Sequence, residues 1–290
     1  MKIRVQRILQ QAGLGSRRQS EAWIQQGRVA VNGRTASLGD LADPTVDRIT
    51  FDGEPVKSAT PRPVYLAFHK PPGVTTTLRD PHAEHVVAEY VPAQYGRVFP
   101  VGRLDRDSEG LLLLTNDGML AHALMHPKNQ VPRVYEVWVK GIPRHNHLER
   151  MRRGIVLEDG MAKPDDVRLV RKLEDEAVLR VTLHEGRKRE VRRLFQSIGH
   201  PVMRLRRIQY GNIRLEGLEP GAVRPLTPRE VQELKGMIGL GKERTTKRDG
   251  FNTGQRQFRD QKHRGGQDLS AARPGHSFRH ARRNSQRPHR

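Results

Sequence analysis

Cysteine is absent from the 290 residues. That excludes a disulfide framework, a thiolate zinc site and a cysteine nucleophile. Aromatic residues make up only 5% of the chain and hydrophobic residues 35%. The four leucines Leu111 to Leu114 fall far short of the roughly 20 apolar residues that a membrane span needs. The opening Met1-Lys-Ile-Arg-Val-Gln-Arg lacks the apolar stretch of a secretory signal. Negative charge is scarce as well: 32 Asp+Glu stand against 53 Lys+Arg, a formal charge of +21. These absences lead us to expect a cytoplasmic protein, without a membrane partner, that binds a polyanion.

The positive charge is unevenly spread. Residues 241–290 hold 14 Lys+Arg and 4 Asp+Glu, so about half of the excess sits in a sixth of the chain. The same stretch has no Val, Ile, Met, Trp or Tyr and a single Leu. It has too little apolar surface to offset the entropy of ordering, and a disordered basic tail is expected there. Such tails bind nucleic acid by neutralising phosphates and releasing counterions.

At the other end, Val5, Ile8, Leu9 and Ala12 mark one face of a helix that Gly13 and Gly15 end. Ser16-Arg-Arg-Gln is a capping-box pattern for a second helix running to Gly27. Val29 and Val31 alternate into Asn32-Gly33, a two-residue hairpin turn, and Ile49 and Phe51 supply another strand. Arg17 and Arg18 open the second helix, where cations oppose the helix dipole unless an anion is bound. With Arg7 and Arg28 they form a candidate phosphate-binding face. The segment resembles the S4 RNA-binding domain in Arg7-Ile-Leu, Ala12-Gly13, Ser16-Arg17-Arg18, Gly27-Arg28-Val29 and Val31-Asn32-Gly33. We assign residues 1–59 to it.

Ser58-Ala-Thr-Pro-Arg-Pro reads as a linker into a second domain, residues 60–240. Strands are expected at Val64 to His69, Arg97 to Val101, Val134 to Val139, Val178 to Leu183 and Met203 to Tyr210. Helices are expected from Asp117, as N-cap, to about His126, and from Leu148 to Arg153. Two more follow, one through Val191, Leu194, Phe195 and Ile198, and one from Pro228 to Ile238 with Thr227 as N-cap. Strands and helices mix without regular βαβ alternation, so the expected class is α+β with a mixed, largely antiparallel sheet.

Two clusters carry candidate chemistry. Val101-Gly-Arg-Leu-Asp-Arg-Asp-Ser-Glu-Gly puts Asp105, Asp107 and Glu109 within five residues, ahead of the leucine run. A carboxylate at the mouth of a buried strand can act as nucleophile or general base, and spacing alone does not choose among the three. Their arginine neighbours, Arg103 and Arg106, equally suit a paired surface loop. The second cluster, His184-Glu-Gly-Arg-Lys-Arg-Glu-Val-Arg-Arg, crowds Arg187, Lys188 and Arg189 at the start of a helix. Those cations need an anion, either RNA phosphate or an internal carboxylate. His122 and His126 stand four apart on a helix but lack the flanking Glu of a metal site, and no metal is assigned.

On these residues the chain is similar to the pseudouridine synthases of the RsuA/RluB/RluE/RluF family. The carrying signature is Gly102-Arg-Leu-Asp-x-x-Ser-x-Gly-Leu-Leu-Leu-Leu-Thr-Asn-Asp-Gly, and Lys70-Pro-Pro-Gly matches the family's first, structural motif. The resemblance implies isomerisation of a uridine in an extruded nucleotide. No cofactor is implied. It makes Asp105 the catalytic residue, Tyr135 the residue that stacks on the base, and Arg192 the partner of Asp105. Arg103, Arg187, Lys188 and Arg189 remain RNA contacts. Glu190 stands where many members have Gln. That residue, Arg206-Arg-Ile-Gln-Tyr-Gly and the basic tail point to the RluB group. The implied substrate is then 23S rRNA, free or in a pre-ribosomal particle, acted on by a monomer. A 16S rRNA (RsuA-like) or RluF-like specificity, or a non-catalytic RNA-binding assembly factor, are the alternatives.

Overall fold

The structure is a computed structural model that describes residues 2–57 and 62–240. The expected tail and most of the expected linker lie outside the described residues.

The first segment comprises β1 (Ile3–Arg4), α1 (Val5–Gln11), α2 (Arg17–Gln25), β2 (Val29–Val31), β3 (Arg34–Thr35), β4 (Leu41–Ala42), β5 (Ile49–Phe51) and β6 (Glu54–Pro55). Val5, Ile8 and Leu9 of α1 pack with Ile24 of α2 and with Val29, Ala42 and Ile49. Ser16 caps α2 by accepting from the Gln19 amide at 3.1 Å, a contact worth about 1 kcal/mol. Asn32 and Gly33 both take positive φ, 52° and 82°. That is the two-residue turn their chemistry calls for, and it pairs β2 with β3.

The second segment begins with β7 (Tyr65–Lys70), β8 (Phe99–Pro100), β9 (Glu109–Thr115), α3 (Gly118–Met125), β10 (Arg133–Lys140) and α4 (His145–Arg153). It continues with β11 (Ile155–Leu157), β12 (Gly160–Ala162), β13 (Asp166–Lys172), β14 (Glu176–Leu183) and α5 (Glu190–Ser197). β15 (Val202–Tyr210), β16 (Ile213–Arg214), β17 (Val223–Pro225) and α6 (Pro228–Met237) complete it. The main sheet runs β13-β14-β10-β15-β9-β7-β17, with β16 on β15 and β8 on β9. Only the β9–β15 pairing is parallel among the described strands. The α+β, largely antiparallel class is what the sheet shows.

Both faces of the sheet are covered around β9. Leu112 and Leu114 join Phe68, Val137, Leu179 and the α5 residues Val191, Leu194 and Phe195 in one layer. Leu111 and Leu113 join Ala67, the α3 residues Leu120 and Leu124, and Leu234 of α6 in the other. This is why four consecutive leucines are all buried in one strand. Asp117 caps α3 by accepting from the Met119 and Leu120 amides. Thr227 and Glu230 form a reciprocal capping box on α6.

Two expectations differ from the structure. The strand expected over Arg97 to Val101 shrinks to Phe99–Pro100, because Gly96 and Gly102 turn the chain with positive φ on either side and Pro100 offers no amide to the ladder. The hairpin β11–β12 and the strand β13 were not expected. A bulge between Leu169 and Arg171 breaks the alternation of β13 and leaves Val170 exposed, which hides the period-2 pattern.

The tightest point of the sheet is Gly110, at φ +106°. A Cβ there would overlap the backbone carbonyl of Arg207 and lie 2.7 Å from its amide nitrogen. Gly110→Ala is therefore expected to cost ~3 kcal/mol or more. Gly118→Ala, whose Cβ would meet only the Phe99 ring at 4.0 Å, should be neutral or slightly stabilising. Thermal unfolding of the two variants beside the parent checks both.

Candidate active site

Between the β8–β9 loop, β10, β15 and the start of α5 lies a cleft of about 1440 Å³. Asp105, Tyr135, Arg187, Lys188, Arg189 and Arg207 all line it.

The loop that carries Asp105 is held from below. Lys70, at the end of β7, is fully buried. Its ammonium donates to the carbonyls of Pro71 at 2.9 Å, Ser108 at 2.7 Å and Arg106 at 3.4 Å. The Gly73 amide donates to the Arg106 carbonyl at 2.8 Å. The Thr76 hydroxyl donates to the Leu104 carbonyl at 2.6 Å and accepts from the Leu104 amide. Lys70-Pro-Pro-Gly thus grips the two residues that flank Asp107, and Thr76 grips the one that precedes Asp105. Burial pulls the Lys70 ammonium down to about 8, against the charges of Asp107, Asp105 and Glu109.

The three acids of the loop part company. Glu109 is nearly buried and bound to Arg204 at 2.6 Å. Asp107 receives Arg189 through two hydrogen bonds, at 3.3 and 3.2 Å, and Arg192 at 3.1 Å. Burial works to raise the Asp107 carboxyl, but these arginines hold it below the usual carboxylate range. Asp105 is the least engaged: its only ion pair among the described residues is Arg189, at 3.6 Å, and its side chain keeps 38% exposure.

The arginines therefore stand differently from the expected order. Arg192 was expected at Asp105; it reaches the Asp107 carboxylate and carbonyl instead, with its other nitrogen on the Val202 carbonyl at 3.1 Å. Arg189, expected to face RNA, occupies the place beside Asp105. The cause is local. Arg189 sits at the N-cap of α5 in the left-handed region, φ 50°, so its side chain turns toward the loop. Arg192, a turn further on and half-buried, meets the loop backbone.

Tyr135 stands on β10 opposite Arg207 of β15, with its ring packed into the core layer beneath the cleft. Its hydroxyl has no hydrogen-bond partner among the described residues. Lys188 and Arg103 are exposed at the cleft wall. Arg187 is partly occupied, donating to Glu185 at 2.7 Å and to the Asp159 carbonyl at 3.4 Å. In the first segment Arg17 and Arg18 are exposed at the start of α2 and Arg7 is half-buried. Arg28 is committed to Asp52 through two hydrogen bonds and lies over the Phe51 ring.

Sequence reasoning missed the floor of the cleft. Arg133, Tyr210 and Arg207 are all buried there. Arg207 is one of three arginines in Arg204-Leu-Arg-Arg, and nothing local marks it as the one that turns inward. Among the described residues no group of three or more His, Asp or Glu side chains could hold a metal.

Comparison with known proteins now bears on this geometry. Residues 64–197 match the family model described as RNA pseudouridylate synthase, and residues 3–45 match the S4 domain. An uncharacterized RNA pseudouridine synthase of Aquifex aeolicus (strain VF5) is 44% identical over 242 residues, 83% of this chain and 96% of its own length. Ribosomal large subunit pseudouridine synthase B of Bacillus subtilis (strain 168) is 40% identical over 241 residues, 82% of this chain and 98% of its own. The chain belongs to the RNA pseudouridylate synthase family. A solved structure described as pseudouridylate synthase superposes with a TM-score of 0.57 at 28% identity, covering 80% of this chain and 99% of that one.

As a pseudouridine synthase the chain is an isomerase acting on RNA. The reaction breaks the N1–C1′ bond of a uridine and joins C5 to the same carbon; the C5 proton leaves and N1 gains one. The cleft is lined by the Asp105 carboxylate, the Tyr135 ring and a basic surround.

The Lys70 grip makes a prediction about pH. Its ammonium is held at about 8 in the fold against 10.5 for an ordinary lysine. Between those values the unfolded chain binds a proton that the fold does not, so stability gained from this group rises with pH across that window. Relative to Lys70→Met, the parent should gain stability from pH 8 to 10, with a slope approaching ~1.4 kcal/mol per pH unit. Chemical denaturation of both proteins at a series of pH values reads that difference; parallel curves would refute it.

Proposed function

We propose that this synthase isomerises a specific uridine of large-subunit (23S) rRNA. Asp105 is the catalytic carboxylate, Tyr135 stacks on the extruded base, and Arg189 and Arg192 hold the carboxylate loop. The observation that carries the reading is the isolation of Asp105. Of the three acids of the loop it alone lines the cleft, and it has one long ion pair while Asp107, though more exposed, is paired with two arginines and Glu109 with one. A group that is to attack a nucleotide, or to take a proton from its sugar, must be free in this way. The large-subunit assignment is supported by the Bacillus subtilis relative and by Haemophilus influenzae and Vibrio cholerae proteins of the same name, 41% and 40% identical.

RNA binding is supported by the cations around the cleft. Arg79, Arg97, Arg103 and Lys188 line it, are exposed, and have no ion-pair partner among the described residues. They are placed for phosphates that flank a flipped nucleotide. We assign residues 1–59 to RNA docking through Arg7, Arg17 and Arg18, residues 60–240 to catalysis, and the basic residues 241–290 to further phosphate contact. The chain acts as a cytoplasmic monomer on rRNA or on an assembling particle.

Pseudouridine mapping of 23S and 16S rRNA from cells lacking the gene tests this. One 23S position should be lost, restored by the parent and not by Asp105→Asn. Loss of a 16S position would transfer the enzyme to the small subunit, and no loss in either rRNA would favour an assembly factor without turnover. Removing residues 241–290 should weaken RNA binding and flatten its salt dependence while leaving Asp105 chemistry intact. Binding measured across a salt series would show an unchanged slope if the tail takes no part.

A further inference from the structure

The floor of the cleft holds a guanidinium that the proposed chemistry does not use. Arg207 is 2% exposed. It lies opposite Tyr135 across the β10–β15 pairing, so both side chains stand on one face of the sheet. Its Nε donates to the Leu111 carbonyl at 2.7 Å. Its guanidinium carbon lies 5.1 Å from the centre of the Tyr210 ring, and Arg133 lies 5.1 Å from the same ring. Both terminal nitrogens of Arg133 are occupied: Nη1 donates to the His184 carbonyl at 2.8 Å, and Nη2 to the Leu124 carbonyl at 3.4 Å and the Tyr210 hydroxyl at 3.2 Å.

Arg207 is not. Its Nη2 is buried without a hydrogen-bond partner among the described residues. Four other arginines carry a buried, unpartnered nitrogen: Arg180, Arg192, Arg193 and Arg206. In each of them it is Nε, and the far end of the side chain reaches a carboxylate. Arg207 has no carboxylate. A nine-tenths buried cationic donor with nothing to donate to is costly, and this one borders the cleft beside the proposed base platform.

We propose that Arg207 forms an oxygen subsite for the base, its Nη2 donating to O4 of the entering uracil seated on Tyr135. The inference rests on the pseudouridine reading of the cleft and adds the residue that recognises the base. A carbonyl suits the floor better than a phosphate does. The exposed cations Arg79, Arg97, Arg103 and Lys188 serve the backbone at the rim, whereas Arg207 is buried and paired with Tyr135 across the two strands.

The chemistry of uracil gives this subsite a second property. Turning the detached base over about its N3–C6 line exchanges N1 with C5, as the reaction demands. The same turn exchanges O4 with O2. A single donor can therefore hold one carbonyl before the turn and the other after it, so the base is gripped in both states by the same group. Cytosine carries an amino group in place of O4. In one of the two orientations it would direct N–H against N–H, and the subsite would reject it.

Equilibrium titration with UMP and CMP, followed by NMR, reads the subsite without requiring turnover. The parent protein should prefer UMP about tenfold or more. Arg207→Lys keeps the charge but has a single nitrogen; held at the Leu111 carbonyl, where Nε donates, it leaves the Nη2 position empty, and the preference should fall to near unity. Equal affinity for UMP and CMP in the parent, or an undiminished preference in a folded Arg207→Lys, would overturn the proposal. Should Arg207→Lys fail to fold, as judged by its melting curve, 4-thio-UMP and 2-thio-UMP decide the matter on the parent alone. Sulfur is the weaker acceptor, so at least one must bind about tenfold less tightly than UMP; full affinity for both overturns the subsite. Loss of the proposed rRNA target with the UMP preference intact would count against the substrate and not against Arg207.

Discussion

The catalytic half of this chain is two antiparallel sheets joined along a two-residue seam. On one side stand β13, β14, β10 and β15, and on the other β9, β7 and β17. They meet where Arg206 and Arg207 pair in parallel with Glu109 and Gly110. The backbones approach so closely that only glycine fits at position 110. The loop bearing Asp105 ends directly into that seam, and Tyr135 lies one strand beyond it. The separation between carboxylate and aromatic ring is thus set by a backbone contact, which is stiffer than any pair of side chains. Lys70 completes the constraint by tying the loop's carbonyls to the end of β7.

Once the loop is fixed, electrostatics sorts its acids. Glu109 takes Arg204 and Asp107 takes Arg189 and Arg192, leaving Asp105 with one long contact. The pairings of Asp107 and Glu109 do more than neutralise charge. Through Arg192 the loop is fastened to α5 and to the Val202 carbonyl, and through Arg204 to β15. The left-handed backbone of Arg189 is a local cost of order 1 kcal/mol, offset by its two hydrogen bonds to Asp107 and its reach to Asp105. Glu190, in the first turn of the same helix, accepts from the Arg187 amide and supplies the negative charge that a helix N-terminus favours. Burial raises its carboxyl pKa, against the hydrogen bond from the Arg187 amide and the Arg187 charge.

Local chemistry was readable from the sequence, and long-range choice was not. The Asp117 cap, the Thr227–Glu230 box and the Asn32-Gly33 turn depend on residues a few positions apart, and each forms as its pattern suggests; of the box expected at Ser16, the serine half forms, accepting from the Gln19 amide. The alternation of Val134 to Val139 marks β10 for the same reason. The bulged β13 was invisible because its one fully buried residue, Val167, leaves no pattern. The candidate site was legible as a signature, since a long motif names Asp105 whatever its surroundings. Its wiring was not. Helix phase gives no hint that Arg189 is left-handed, so Arg189 takes the place beside Asp105 expected of Arg192, and Arg192 meets Asp107. Arg207 escaped notice because three neighbouring arginines look alike until the pairing with Tyr135 turns one of them inward.

The cations of the cleft then fall into an order of depth. At the rim they are exposed and unpaired among the described residues; along the loop and α5 they are paired with Asp107, Glu109 and Asp159; at the floor the terminal nitrogens of Arg133 reach two carbonyls and a hydroxyl, and Arg207 keeps Nη2 unpartnered. An RNA backbone brings many phosphates and a flipped nucleotide brings one base. Exposed charges gain from the former because their own hydration is only partly surrendered, and that gain fades with salt. A buried donor gains from the latter because its desolvation has already been met in folding, so the base completes a hydrogen bond that the fold left open. Salt should therefore weaken attachment of the RNA far more than it alters discrimination between uracil and cytosine, since the two depend on cations at opposite ends of the same cleft.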